Sequence, residues 1–277
     1  MKRIIILTII TYFFGCSNSS DPANPPKLGN IAKKFQVNGN TIIEAALMDS
    51  SGFGRLAEMC DTFGPRFSGS DNLEKALDWI LEEMEADGLD NVHSEDVMVP
   101  KWVRGKESAQ MLSPWKKELH MLGLGGSIGT GSNGITSEVI VVNSFEDLEE
   151  RKSEAKGKIV LFNVPFSSYG KTVQYRSGGA IAASKVGAIA SIIRSVGPFS
   201  MNTPHTGGMR YEEGVKKIPH AAITVEDAAM IARMVNRGQS VKIKLYMEGK
   251  FEPDALSRNV MGEITGSEFP NEVIVLG

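Results

Sequence analysis

Cysteine is almost missing from this chain. Two in 277 residues, Cys16 and Cys60, cannot staple a disulfide scaffold. Histidine is scarce as well: His93, His120, His205 and His220 are the full set of four. Neither H-E-x-x-H nor a C-x-x-C pair occurs, so no local zinc motif is legible. A large excess of one charge is also missing, since 30 Lys+Arg against 33 Asp+Glu leaves −3. That balance argues against nucleic acid as a partner, because phosphate binding wants a dense basic face. No apolar run reaches the roughly 20 residues of a membrane-spanning helix. What is present is 42% hydrophobic and 23% charged residues, enough apolar material for a globular α/β fold of one or two domains.

The chain begins MKRIIILTIITYFFGC. Two basic residues precede a short apolar run, Ile4 to Phe14, which is the layout of an export signal over residues 1–16. Gly15-Cys16 resembles a lipobox, so Cys16 is the candidate for acylation and for a lipid anchor, with Phe13 standing where that motif usually has Leu. Ser17 to Lys27 (SNSSDPANPPK) is polar and Pro-rich and reads as a tether. The expected location is secreted or extracytoplasmic.

Residues Asp71 to Asp87 give the clearest helix. Leu73, Leu77, Ile80, Leu81 and Met84 share one face, Asp71 and Glu74 form a capping-box-like start, and Gly88 ends it. Ile42 to Met48 and Phe53 to Cys60 are also expected to be helical. From Val92 the period becomes two, with strands expected at Val97/Val99, Ala109–Leu112 and Leu119–Leu124. The stretch GLGGSIGTGSNG (Gly123–Gly134) carries no G-K-[ST], and a strand follows it rather than a helix. That leaves a phosphate-cradling loop or nucleophile elbow without support and favours a linker.

Strands and helices then alternate: strands at Glu138–Val142, Lys158–Phe162, Ala188–Ile193, Ala221–Thr224 and Val241–Met247, helices at Phe145–Lys156, Ala180–Val186 and Glu226–Asn236. A polar linker covers Glu248–Ser257. Asn259–Ile264 and the bare aliphatic run Glu272–Leu276 are expected to pair as a hairpin, the latter a strand buried on both faces. Ligands of open α/β sheets bind beyond the carboxyl ends of strands, so the chain reads as truncated where a site would begin. Acidic pairs such as Glu82/Glu83 and Glu149/Glu150 sit on solvated helix faces. His205 and Thr206, in the polar loop TPHTGG, are the candidates for contacting a ligand; the other histidines read as structural.

Seven segments in order resemble one family: Cys60–Ala76 (CDTFGPRFSGSDNLEKA), Gly123–Thr130 (GLGGSIGT), Thr172–Arg176 (TVQYR), Lys185–Ala188 (KVGA), Ser191–Ser195 (SIIRS), Pro204–Gly207 (PHTG) and Ile223–Ala228 (ITVEDA). They are similar to the co-catalytic zinc exopeptidases with an aminopeptidase-like α/β fold, carboxypeptidases and dipeptidases acting on small peptides. The resemblance runs from about Ile42 to Gly277. It implies a peptidase domain over 42–125 and 250–277, a protease-associated domain inserted at 126–249, a pro-segment over 17–41, and a homodimer. It also implies two zinc ions, held through a His-x-Asp motif directly after Glu272–Leu276 and through later ligands. None of these has a position here, so the chain carries no catalytic or metal residue from the resemblance and alone should be inactive. The competing reading is a non-catalytic protease-associated, peptide-binding module on a lipid or secretory tether.

Labelled palmitate supplied to a bacterial host should enter the protein, and Cys16→Ser should abolish the label. Unlabelled wild-type protein would remove the anchor and leave simple export.

Overall fold

The structure, a computed structural model, describes residues 29–277. The chain divides at Glu58/Met59 into two compact units. The expected signal and the Cys16 site lie outside the described residues. In the first unit, α1 (Asn30–Met48) buries no residue, and Ile31, Phe35, Ile42 and Leu47 stand exposed. The expected pro-segment over 17–41 therefore ends in helix from Asn30 onward, because IAKKFQVNGNTIIEAALM is free of proline. Helix α2 (Ser51–Phe63) runs across the division.

The second unit holds α3 (Asp71–Ala86) and a long ribbon of two antiparallel strands, β1 (Asp90–Val103) and β10 (Lys250–Glu263). Helix α3 starts at Asp71 as expected. Ser70, rather than Asp71, is its N-cap, and the Ser70 side chain accepts from the Leu73 amide, satisfying one orphan donor of the first turn. Its polar face ties to β10: Ser257 Oγ donates to Glu74 Oε1 at 2.7 Å, and Arg258 Nη2 to Glu74 O at 3.1 Å.

Between the two ribbon strands the chain builds an eight-stranded sheet. Its strands are β2 (Glu107–Ser113), β3 (Lys117–Leu119), β4 (Met121–Gly123), β5 (Ile135–Val142), β6 (Ile159–Phe162), β7 (Ala190–Arg194), β8 (His220–Ile223) and β9 (Lys242–Met247). The order is β3-β2-β9-β5-β6-β7-β8-β4. β5 to β8 are parallel neighbours; β9 and β4 flank them antiparallel. Alternate residues of the parallel strands face opposite ways, and both faces are covered, which is why these strands read as continuous aliphatic runs. Ile159, Leu161 and Ile192 pack under α7 (Val225–Asn236) through Ala228 and Ile231. Val160, Phe162 and Ile193 pack under α4 (Phe145–Glu150), α5 (Lys152–Ala155) and α6 (Tyr169–Lys185) through Leu148, Ala155, Tyr175 and Ala183.

Several expectations change. The sheet takes strands from Glu107 onward, so the boundary expected at Gly126 cuts through it; the ribbon leads in at Val103 and out at Lys250. Gly123–Gly134 is a packed crossing between strands of one sheet, not a free linker: Leu124 and Ser127 are fully buried. Glu248–Ser257 is largely ribbon strand, and Asn259–Glu263 pairs with β1 rather than with Glu272–Leu276. That last run is not a strand, and Ile274 and Leu276 are 88% and 91% exposed, because an aliphatic strand needs paired neighbours on both sides and no described residue pairs with it. Phe145–Lys156 breaks into two short helices at Arg151. Among the described residues, no helix is long and apolar enough to cross a membrane.

His220 is fully buried, as its structural reading requires. Its Nε2 lies 3.1 Å from Tyr175 O, and its Nδ1 lies 2.7 Å from Ser191 Oγ. Nδ1 also lies 3.2 Å from Ser191 O, so a carbonyl acceptor faces each ring nitrogen and the neutral ring donates to one of them. Burial pushes this imidazole down to about 4. A histidine depressed in the fold supports stability fully above its unfolded value near 6.5, and that support is lost as pH falls through about 4. Unfolding free energy should therefore drop below pH 6.5, by roughly 3 kcal/mol from this group alone. The His220 ring resonance should titrate near 4; a midpoint near 6.5 would contradict the burial.

Candidate functional site

A cavity of about 350 Å³ opens where the ribbon meets the eight-stranded sheet. Five separate segments line it. The loop before α3 gives Phe67 and Ser68, the end of β1 gives Pro100 and Trp102, and Arg104 follows directly. The loop after β4 gives Gly125 and Gly126, the loop after β7 gives Thr206 to Met209, and β10 gives Phe251. A second hollow of about 390 Å³ lies over Gln110, Glu118, Lys244 and Tyr246 on the sheet's polar side. There Gln110 and Glu118 already hydrogen-bond each other, and a solvated sheet face explains it.

The cavity floor is bare backbone. Gly125 N–H donates to Gly207 O, and Met209 N–H to Gly125 O, each at 2.9 Å, forming an isolated parallel bridge between Gly125 and Gly208. Gly126 has φ +89°, a backbone that side chains rarely adopt. A Cβ on Gly207 would lie 2.8 Å from Arg176 Cζ, the movable end of a long side chain. The walls are aromatic. Trp102 is nearly buried and its Nε1–H donates to Ser127 O at 2.9 Å. The Phe67 ring meets Trp102 edge-on at 5.7 Å. The Arg104 guanidinium lies over both rings, 5.5 Å from Phe67 and 5.1 Å from Trp102. Its Nη1 donates to both Glu107 oxygens, at 3.1 and 3.3 Å, and to Gly123 O.

Of the residues expected to contact a ligand, Thr206 lines the cavity and His205 does not. His205 is exposed; its amide donates to Ser195 Oγ at 2.6 Å and its Nε2 lies 3.4 Å from Arg176 Nη1. His120 faces solvent beside Asp227, with Nδ1 3.9 Å from the carboxylate, and His93 Nδ1 contacts Asn91 O at 2.6 Å. Sequence reasoning missed Trp102, Arg104 and Phe251, whose only signal was aromatic residues beside a cation near strand ends. It also passed over the G-x-S-x-G spacing at Gly125–Gly129. Ser127 in that pattern is no nucleophile: its hydroxyl is buried, donates to Ile128 O at 3.0 Å and accepts from the His220 amide at 2.9 Å.

Among the described residues, no group of three or more His, Cys, Asp or Glu side chains could hold a metal ion. Glycines, aromatics, an arginine and hydroxyls line the cavity, a donor set that does not fit zinc.

No family model matches the chain. Its fold is that of a metallopeptidase. The crystal structure of a peptidase M28 precursor from Shewanella amazonensis superposes with TM-score 0.79 at 34% identity, covering 85% of this chain and 55% of that one. A zinc aminopeptidase from Bacillus subtilis shares the fold at TM-score 0.52 and 21% identity, covering 76% and 45%. More particularly, the chain is similar to carboxypeptidase Q. It is 53% identical to the mouse and human proteins over 224 residues, 81% of this chain and 48% of each of them. It therefore spans about half the length of these relatives. The peptidase resemblance and the α/β fold expected from the motifs are both borne out.

Gly207→Ala should displace the Arg176 guanidinium and lower stability by no more than about 1 kcal/mol, read from denaturant unfolding. Arg176→Ala in the same chain should recover most of that loss. No recovery would show that the loss does not arise at the Arg176 contact.

Proposed function

We propose that this chain is the N-terminal portion of an exported zinc exopeptidase, a carboxypeptidase or dipeptidase acting on small peptides. The 53% identity to carboxypeptidase Q over 224 residues carries this reading. In it, the eight-stranded unit is the inserted protease-associated domain, now bounded near Arg104 and Gly249. Residues 42–103 and 250–277 belong to the peptidase domain, Cys16 marks export with or without an acyl anchor, and the mature enzyme is a homodimer.

Zinc, two ions in the complete enzyme, would act as Lewis acid and activate a water. The described residues offer it no site, so in this reading its ligands are supplied from outside them, beyond Gly277. The part of this chain is binding and positioning. It holds the ribbon, the aromatic cavity and the Thr206 loop in fixed relation.

The 277-residue chain should bind no stoichiometric zinc and hydrolyse no dipeptide. The same chain lengthened by its natural downstream sequence should gain both, and chelators should remove the activity. Metal content by atomic emission, paired with a dipeptide assay, reads the outcome. Tight zinc or activity in the short chain would overturn the placement of the ligands. A lengthened chain with neither would overturn the peptidase reading.

A further inference from the structure

We infer that the aromatic cavity binds an apolar, preferably aromatic, side chain lying next to a carboxylate, the chemistry of a free amino acid or the C-terminal residue of a small peptide. That this ligand is a substrate or product rests on the peptidase reading; that it binds rests on the cavity alone.

The volume, about 350 Å³, sits at the small end of the range for small-molecule sites. Three rings and a thioether, Phe67, Trp102, Phe251 and Met209, supply the walls. Phe67 and Phe251 remain 41% and 59% exposed there, apolar area that a ligand ring would remove from water. No acidic residue lines the cavity, so nothing in it favours a cation.

Arg104 supplies the opposite preference. Among the described residues, every hydrogen bond it makes runs from Nη1. Nε and Nη2 have no hydrogen-bond partner among the described residues, and the side chain is partly exposed. Glu107, which holds Nη1, also accepts from the Gly123 amide at 3.0 Å and lies outside the lining. The contacts with Trp102 and Phe67 and the Nη1 hydrogen bonds hold the guanidinium in place. A fixed guanidinium with a free N–H edge matches the geometry of a carboxylate, and the rings beside it match an apolar side chain. Ser68 and Thr206 add hydroxyls at the rim.

The test titrates the 277-residue chain carrying Trp79→Phe and Trp115→Phe, so that Trp102 is the fluorescent reporter. N-acetylphenylalanine should quench or shift it saturably. Its amide and N-acetylglycine should each bind about tenfold more weakly or worse, a difference of about 1.4 kcal/mol. Phe251→Ala, at a side chain more than half exposed, should weaken N-acetylphenylalanine about tenfold without moving the unfolding midpoint. Arg104→Lys should abolish the preference of acid over amide and keep the preference for the ring. Equal affinity for acid and amide, equal affinity for the glycine compound, or no saturation would overturn the inference; so would an unchanged affinity in Phe251→Ala. Activity and zinc in the lengthened chain alongside such a failure would leave the peptidase reading standing. Binding here with neither there would remove the peptidase reading and leave the cavity assigned.

Discussion

Arg104 is where the architecture is held together. The chain leaves the ribbon at Val103 and returns to it at Lys250, almost 150 residues later. Whatever joins ribbon to sheet must act at that single crossing. One guanidinium ties the two together: it lies over the rings of Phe67 and Trp102, and its Nη1 reaches Glu107 on β2 and the Gly123 carbonyl at the end of β4. Cation–ring contacts contribute about 0.5–2 kcal/mol each, more as water is excluded. The crossing is sealed beside it: Glu248 N–H donates to Lys106 O at 3.1 Å, and Lys106 N–H to Glu248 Oε2 at 2.8 Å. A Cβ on Gly249 would lie 2.8 Å from Ser127 O and 3.1 Å from Trp102, so the returning strand fits only because it has none.

Polar groups behind the crossing make its position unique. Ser127 O accepts from Trp102, while the Ser127 hydroxyl accepts from the His220 amide in the sheet core. Tyr211 Oη accepts from the Ile128 amide at 2.9 Å and donates to Ile218 O at 2.8 Å. Each donor in this chain of contacts has an acceptor, so burying it leaves no large desolvation cost. A shift of the glycine-rich crossing by one residue would orphan several of these groups together, which is a stronger constraint on its path than any apolar contact there.

Much of the fold was legible from residues alone, and for a definite reason. Strands buried on both faces must be aliphatic throughout, so IVLF at Ile159–Phe162 and SIIR at Ser191–Arg194 announce themselves. The Asp71–Ala86 helix did so through its apolar stripe. The ribbon did not. Its strands pair residues such as Val99 and Ala255, far apart in sequence, and one side of it faces water, so half its residues look like linker. The same cause misplaced the sheet's first strands in the neighbouring domain. The cavity was less legible still. Its lining comes from five segments, and only Thr206 carried a local cue, whereas Trp102, Arg104 and Phe251 acquire meaning only once the ribbon is closed.

The two halves of the cavity have different origins, and that shapes what it can do. The floor is backbone from the sheet unit, Gly125, Gly207 and Gly208, fixed by two hydrogen bonds of 2.9 Å. Phe251 and Trp102 come from the ribbon, and Phe67 from the loop ahead of α3. A molecule seated in the cavity touches all three at once. Any motion of the sheet unit against the ribbon would open the floor from the walls and cost that molecule its contacts. By thermodynamic reciprocity, the molecule's presence favours the arrangement in which Arg104 spans them. The glycines that leave the cavity open and the arginine that closes the crossing are therefore parts of one device, since filling the first or loosening the second changes the same joint.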